Sequence, residues 1–256
     1  MHLLAAERLK LLSTRSPWLC ALLAVVLTTA VAALVVSGST ESSLPPTVAS
    51  TQFGYKLGLV AVLALAALAV TTEYRTGTIH TTFQAVPTRT PALLAKTAVV
   101  AGFAFVIGEA AAFGSWGASL LVAPDADLAL DSTTDWTMVA GTGVVYAPAA
   151  VLAVGVGLLV RHGAGALAAV IVYPLAVEDV VTLIPHAGDA IHRWLPFNVV
   201  TKFLSDAGQA SGGRDGGNAN VLSDSPLNPG WALAYFAAFA ALVLAAGIMT
   251  AKRRDA

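Results

Sequence analysis

Charge is what this chain has least of. Asp, Glu, Lys and Arg make up 11% of its 256 residues, against about 25% in ordinary soluble domains, while 57% are hydrophobic. So little polar surface cannot cover a water-soluble core of this size. Cysteine is nearly absent as well. The single Cys20 excludes an internal disulfide and any multi-cysteine metal site; inside an apolar run, behind the bulky Trp18 and Leu19, it reads as a small buried hydrophobe and not as a lipoprotein anchor. No GxxxxGK[ST] sequence is present, so the lysine and amide cradle that binds ATP phosphates is missing. The glycine-rich stretch 212–217 opens no helical pattern and reads as flexible loop. His186 and His192 stand six apart, off the i, i+4 spacing with which a helix chelates zinc, and the other histidines are scattered. Basic residues are too few and too dispersed for a nucleic-acid surface. The expectation is therefore a chain with no metal, no cofactor of its own and no nucleic-acid partner.

What the chain does have is six long apolar runs. A bilayer core about 30 Å thick needs about 20 apolar helical residues to cross it, and only helices or closed barrels satisfy every backbone group in lipid. The runs cover residues 17–37, 54–72, 97–122, 138–160, 163–185 and 230–251. They are rich in Ala, Leu and Val without the alternation of a membrane strand, so the predicted fold is all-α, a single transmembrane domain over 1–256. Residues 1–16 form an interfacial segment, 73–96 the largest connection on one side, and 186–229 a loop on the other. The first run is too long for a cleaved signal and is kept as a span. Ser16 before Pro17 and Thr90 before Pro91 place a capping hydroxyl ahead of a first-turn proline, which predicts where spans one and three begin.

Lysine and arginine set the orientation. The segments on the N-terminal side hold Arg8, Lys10, Arg15, Arg75, Arg89, Lys96, Arg161, Lys252, Arg253 and Arg254; the opposite segments hold Lys56, Arg193, Lys202 and Arg214. Ten against four predicts cytoplasmic N- and C-termini.

The connection after span two carries Ile79, Phe83 and Val86 at i, i+4 and i+7, one face of a short helix closed by Pro87. Such a helix lies on a membrane surface, presents its apolar face to a partner, or merely connects two spans. Within the apolar runs stand Glu109, near the middle of span three, and Glu178 with Asp179 in span five. Ionisable groups there are costly and usually face a bundle interior or a wet cavity. Glu109 lies about 18 Å from the nearer surface at 1.5 Å per residue, and no lysine or arginine shares its depth.

Glu73-Tyr-Arg-Thr-Gly-Thr78, followed by Pro-Thr-Arg89 and by Lys96 at the opening of span three, resembles the membrane subunits of type-2 ATP-binding-cassette exporters. Glu7-Arg-Leu-Lys10 with Arg15-Ser-Pro17, and Arg193-Trp-Leu-Pro-Phe197, look like the actinobacterial members of that family. The resemblance extends over nearly the whole chain through span count, loop order and these motifs. It implies a permease in a bacterial inner (plasma) membrane, with two such chains meeting as a homo- or heterodimer. Two copies of a separate ATPase subunit supply ATP and magnesium.

The resemblance also implies that residues 76–86 form a coupling helix that docks into the ATPase. Glu73 and Arg75 would set the elbow by charge pairing, Gly77 would permit the turn, and Ile79, Phe83, Val86 and Arg89 would complete the coupling set. Short re-entrant helices are implied over 183–204. The cargo pathway, for a lipophilic or amphipathic compound, is expected to involve Glu109, Phe103, Phe105, Phe113, Trp116 and Glu178. Paired glycines 141/143, 155/157 and 163/165 are compatible with tight helix contacts. Two other classes stay open: an intramembrane enzyme using Glu109 or the Glu178-Asp179 pair, and a membrane anchor subunit without a pathway. Cysteine labelling of intact cells with an impermeant reagent should reach residue 215 and spare residue 161. The reverse pattern overturns the orientation.

Overall fold

The computed structural model describes residues 2–41, 46–85, 89–209 and 223–254. Every regular element among them is helical: α1 (His2–Ser13), α2 (Arg15–Glu41), α3 (Val48–Thr51), α4 (Tyr55–Thr76), α5 (Thr78–Ala85), α6 (Thr90–Val122), α7 (Thr133–Val160), α8 (Gly163–Val172), α9 (Glu178–Val181), α10 (Gly188–His192), α11 (Pro196–Gln209) and α12 (Pro229–Arg254). Six membrane-length apolar segments result, carried by α2, α3–α4, α6, α7, α8–α9 and α12. The chain is thus built as a multi-pass membrane protein.

The helices of spans three and four, α6 and α7, begin several residues before the predicted apolar runs, at Thr90 and Thr133. The α6 start also corrects the predicted cap. Thr90 is already helical, Arg89 occupies the cap position with φ 54°, and Pro91 lies in the first turn. Likewise α2 starts at Arg15, so Ser16 is inside it. Proline's fixed φ suits a first helical turn without a hydroxyl ahead of it. A true capping box occurs at α7, where Ser132 Oγ accepts from the Asp135 amide at 3.1 Å and Asp135 accepts from the Ser132 amide at 3.2 Å.

Helix α7 is the hub, packing on α4, α6, α8, α11 and α12. Burial follows from that: 61% of the apolar window is buried in both the α3–α4 and the α7 spans, but 22% in α2 and 17% in α8–α9. The two least buried spans face lipid or another chain.

Close approach comes from small residues. A Cβ on Gly108 would stand 2.7 Å from the Gly143 Cα, and one on Gly155 would stand 2.8 Å from the Leu244 amide nitrogen. These are the crossings of α6 with α7 and of α7 with α12. Of the glycine pairs noted in the sequence, Gly163 and Gly165 make no comparable backbone approach. Beside the first crossing the fully buried Tyr146 donates its hydroxyl to the Tyr55 carbonyl at 2.6 Å, and the Tyr55 hydroxyl meets Thr201 Oγ1 at 2.8 Å. Three elements, α7, α4 and α11, are tied by these two bonds.

Span five is not one continuous α-helix to residue 185. It passes through a π-helical turn at Tyr173–Val177 and ends at Val181. Pro174 has no amide hydrogen to give, and the widened turn absorbs the break in the ladder. His186 then turns with φ 67° into α10 and α11, so the first part of the region expected to be loop is helical. Residues 210–222, which include the glycine-rich stretch 212–217 predicted as flexible loop, lie outside the described residues.

Gly143→Ala should cost about 1–3 kcal/mol by overpacking the α6–α7 crossing. Gly102→Ala, which opens onto free space, should be neutral or stabilising by up to about 1 kcal/mol. Unfolding of the two variants in mixed micelles provides the comparison.

Candidate functional site

At the end of the bundle that bears α1, four charged side chains meet. The Lys96 ammonium lies 2.6 Å from Glu7 Oε2 and 2.8 Å from Glu73 Oε1; Lys10 lies 2.8 Å from Glu7 Oε1 and 3.7 Å from Glu73 Oε1. The Lys96 side chain is only 8% exposed. It sits on the second turn of α6, Glu73 on the last turn of α4, and Glu7 and Lys10 on successive turns of α1. One buried cation therefore gathers three helices. Burial opposes charging Glu7, yet Lys96 and then Lys10 outweigh it and hold its carboxyl below the ordinary carboxylate value. Lys10, opposed by burial in the same way, is raised by Glu7 and Glu73. Of the two residues expected to set the elbow by charge pairing, Glu73 pairs with Lys96 and Lys10, not with Arg75, which is exposed. Helix geometry gives the reason, since residues two apart point away from each other.

The elbow follows at once. Gly77 ends α4 with φ 73° and ψ 0°, a left-handed conformation in which its amide bonds the Tyr74 carbonyl. The short α5 leaves in a new direction, with Ile79 buried and Thr78, Thr81 and Gln84 exposed. The expected helix 76–86 thus begins two residues later. The Phe83 side chain and all of Val86 lie outside the described residues. Arg89 donates to the Lys252 carbonyl at 3.4 Å, and Arg161 donates to the Thr250 carbonyl at 3.3 Å while its guanidinium stands 5.0 Å from the centre of the Tyr74 ring. Both cations thus reach carbonyls in the last turns of α12, where positive charge complements the helix dipole.

At the opposite end, Glu178 is buried and wholly engaged. Its Oε1 accepts from the Phe197 amide at 2.9 Å and its Oε2 from the Asn198 amide at 2.7 Å. The carboxylate caps the first turn of α11, a placement favoured by the helix dipole. Asp179, next to it, is exposed. A cavity of about 620 Å³ opens here between α2, α4, span five and α11, lined among others by Val31, Lys56, Leu59, Leu175 and Glu178.

Glu109 sits at the α6–α7 seam, half-buried, with its carboxyl where a Cβ on Gly143 would collide with it. It has no hydrogen-bond or ionic partner among the described residues. Of the aromatic residues expected near it, Phe105 and Phe113 are exposed, Phe113 lying 6.4 Å from the Trp136 ring. Trp116 donates its indole hydrogen to the Leu128 carbonyl at 2.9 Å, and Phe103 meets Trp18 edge-on at 5.8 Å, on another side of α6. None of the four, nor Glu109, lines the cavity at Glu178. Sequence reasoning missed Glu7 as a partner of Lys96, although a lysine inside a span's first turns signals that an anion must reach it.

Glu7 supports the docking of α1 above the ordinary glutamate value of 4.5, and the support disappears as pH falls through its lower folded value. Lys10 has the opposite sign: its contribution holds below the ordinary lysine value of 10.5 and is lost as pH rises through the raised one. Protection against hydrogen exchange over His2–Ser13, measured relative to the intrinsic rate at each pH, should therefore be high at neutral pH and fall once the pH drops below the ordinary glutamate range, ahead of α7, whose core carries no such cluster. Comparison with known proteins found no matching family model, no matching curated protein and no matching solved structure.

Proposed function

We propose that this chain is the membrane-spanning permease subunit of an ATP-binding-cassette exporter, in which α5 is the coupling helix that a separate ATPase subunit grips. The observation that carries this reading is the elbow of α4, Gly77 and α5, braced from behind by the Glu7–Lys96–Glu73 cluster. A rigid brace under a short helix whose outer residues are exposed is what force transfer requires. A helix that only connected two spans needs neither. In this reading α5 and both termini are cytoplasmic, as the lysine and arginine distribution favours, and the membrane is a bacterial plasma membrane.

The sparsely buried α2 and α8–α9 spans provide the surface for a second copy or a homologous permease chain. The cavity at Glu178 lies between those two spans and supports a cargo path for an amphipathic compound, with α10 and α11 as the re-entrant pair at its outer end. ATP clamping of two ATPase subunits would then bias inward- against outward-facing states. An intramembrane enzyme gains less support. Both Glu178 oxygens are held by backbone amides, and Glu109 has no base or nucleophile beside it among the described residues.

Phe83→Ala should weaken ATPase docking by about 2 kcal/mol or more, the usual cost of truncating a buried interface aromatic, without loss of the membrane fold. Gly77→Val should uncouple transport from hydrolysis, because a β-branched residue is strained at φ 73°. Co-purification with the ATPase, followed by transport in proteoliposomes, checks both; normal docking and transport by the two variants would reduce α5 to a connector.

A further inference from the structure

Among the described residues Glu109 has no hydrogen-bond or ionic partner, and no charged group stands near enough to act on it. It lies inside the apolar length of span three, at least about three turns from either end of α6. Its carboxyl leans across the α6–α7 seam into the space that Gly143 leaves by having no side chain. The oxygens there are at the surface of the bundle and not sealed in it. What surrounds them is apolar. Phe105, Val106 and Phe113 share the Glu109 face of α6 at i−4, i−3 and i+4, and all three are exposed, as is Val144 beside Gly143. Further along the same face Gly102 opens onto free space.

Such a surface is incomplete in a bilayer. Hydrocarbon offers a carboxyl neither a hydrogen bond nor a counter-charge, and ionisable groups within spans pair with one another or face the interior of an assembly. Nothing in this chain supplies the missing group. Of the lysines within its spans, Lys96 is held by Glu7 and Glu73, and Lys56 lines the cavity at Glu178. The arginines stand at span ends or in the connections. A second copy of the chain therefore brings no cation to the seam. Nor is the seam part of the α2 surface, since α2 meets α6 on the side of Phe103 and Gly114.

We infer that the exposed α6–α7 seam is the docking surface for a membrane-spanning helix of another polypeptide, one that carries a lysine or arginine within its apolar length. The basic group donates to the Glu109 carboxylate over Gly143, and each charge relieves the cost of the other in hydrocarbon. The partner's backbone comes close at Gly102, while its apolar side chains pack on Phe105, Val106, Phe113 and Val144. A helix is the occupant because a protein segment at this depth must satisfy its own backbone. The face also has a helix's shape, a strip from Gly102 to Phe113 that runs about three turns along α6. The surface is independent of the permease reading, for it involves neither the ATPase nor a second permease chain.

The test places the full-length chain in phosphatidylcholine vesicles with synthetic single-span Leu/Ala peptides, identical except for one central residue: lysine, asparagine or leucine. Binding is read by energy transfer between labelled peptide and labelled protein. The lysine peptide should bind about tenfold more tightly than the leucine peptide, the weight of a good polar contact between membrane helices. Glu109→Gln should bring the lysine peptide to the level of the leucine peptide. Val106→Trp, which adds bulk to the exposed face one turn from Glu109, should abolish the preference as well. Circular dichroism and gel filtration report whether each variant is folded. Equal binding of the lysine and leucine peptides, a lysine preference that survives in Glu109→Gln, or one retained in folded Val106→Trp each overturns the assignment. An asparagine peptide that binds as tightly as the lysine peptide overturns the choice of a basic residue. Dodecylamine that binds as tightly as the lysine peptide, and loses that affinity in Glu109→Gln, overturns the choice of a helix and gives the seam to a small cationic amphiphile. Should Glu109→Gln fail to fold, Val106→Trp and the peptide comparison decide alone.

Discussion

A lysine inside an apolar helix must meet an anion or lose its charge, and the end of this bundle is arranged around that necessity. An unpaired charge at a helix centre costs about 2.5–3.5 kcal/mol on insertion scales, and removing one partner of a buried pair costs about 3–5 kcal/mol. Lys96 escapes the penalty only while Glu7 and Glu73 are both in reach. That condition fixes where α1 lies, at what height α4 ends, and from which point the chain turns into α5. The ion cluster sets geometry more than it adds stability, since a buried pair recovers little beyond its own desolvation.

Elsewhere the helices are held by shape. Between apolar helices in lipid there is no water to expel, so packing and hydrogen bonding carry the association. The two glycine crossings supply the first and the Tyr146–Tyr55–Thr201 chain supplies the second. Both act on α4, α7 and their neighbours, which leaves α2 and span five comparatively loosely attached. A membrane protein that must change shape needs such a division, with one rigid group of helices and another free to shift against it.

Element type and number were legible in the sequence because hydropathy in lipid is a strong local signal; all six spans are where the apolar runs are. Gly77 was legible for the same kind of reason, a lone glycine between two helical patterns. Tertiary partners were not. Nothing in the 65 residues between Glu7 and Glu73 announces that the two share a lysine, and nothing near Glu178 announces that two amides of α11 hold its carboxylate. The surroundings of the aromatic residues of α6 were illegible for a simpler cause: at the middle of a span a ring facing a cavity and a ring facing lipid have the same sequence.

The grip of Arg89 and Arg161 on the end of α12 makes the C-terminal end of the last span a mechanical neighbour of α5. Arg89 stands four residues beyond Ala85, the last residue of that helix, and holds a carbonyl of Lys252. Anything that pulls on α5 is therefore felt at the last turn of α12. A tag or fluorescent protein joined directly after that turn would sit beside a contact that steadies the chain beyond α5, and one joined ahead of α1 would sit beside Glu7, so insertion in a loop away from both is the sounder choice for functional work.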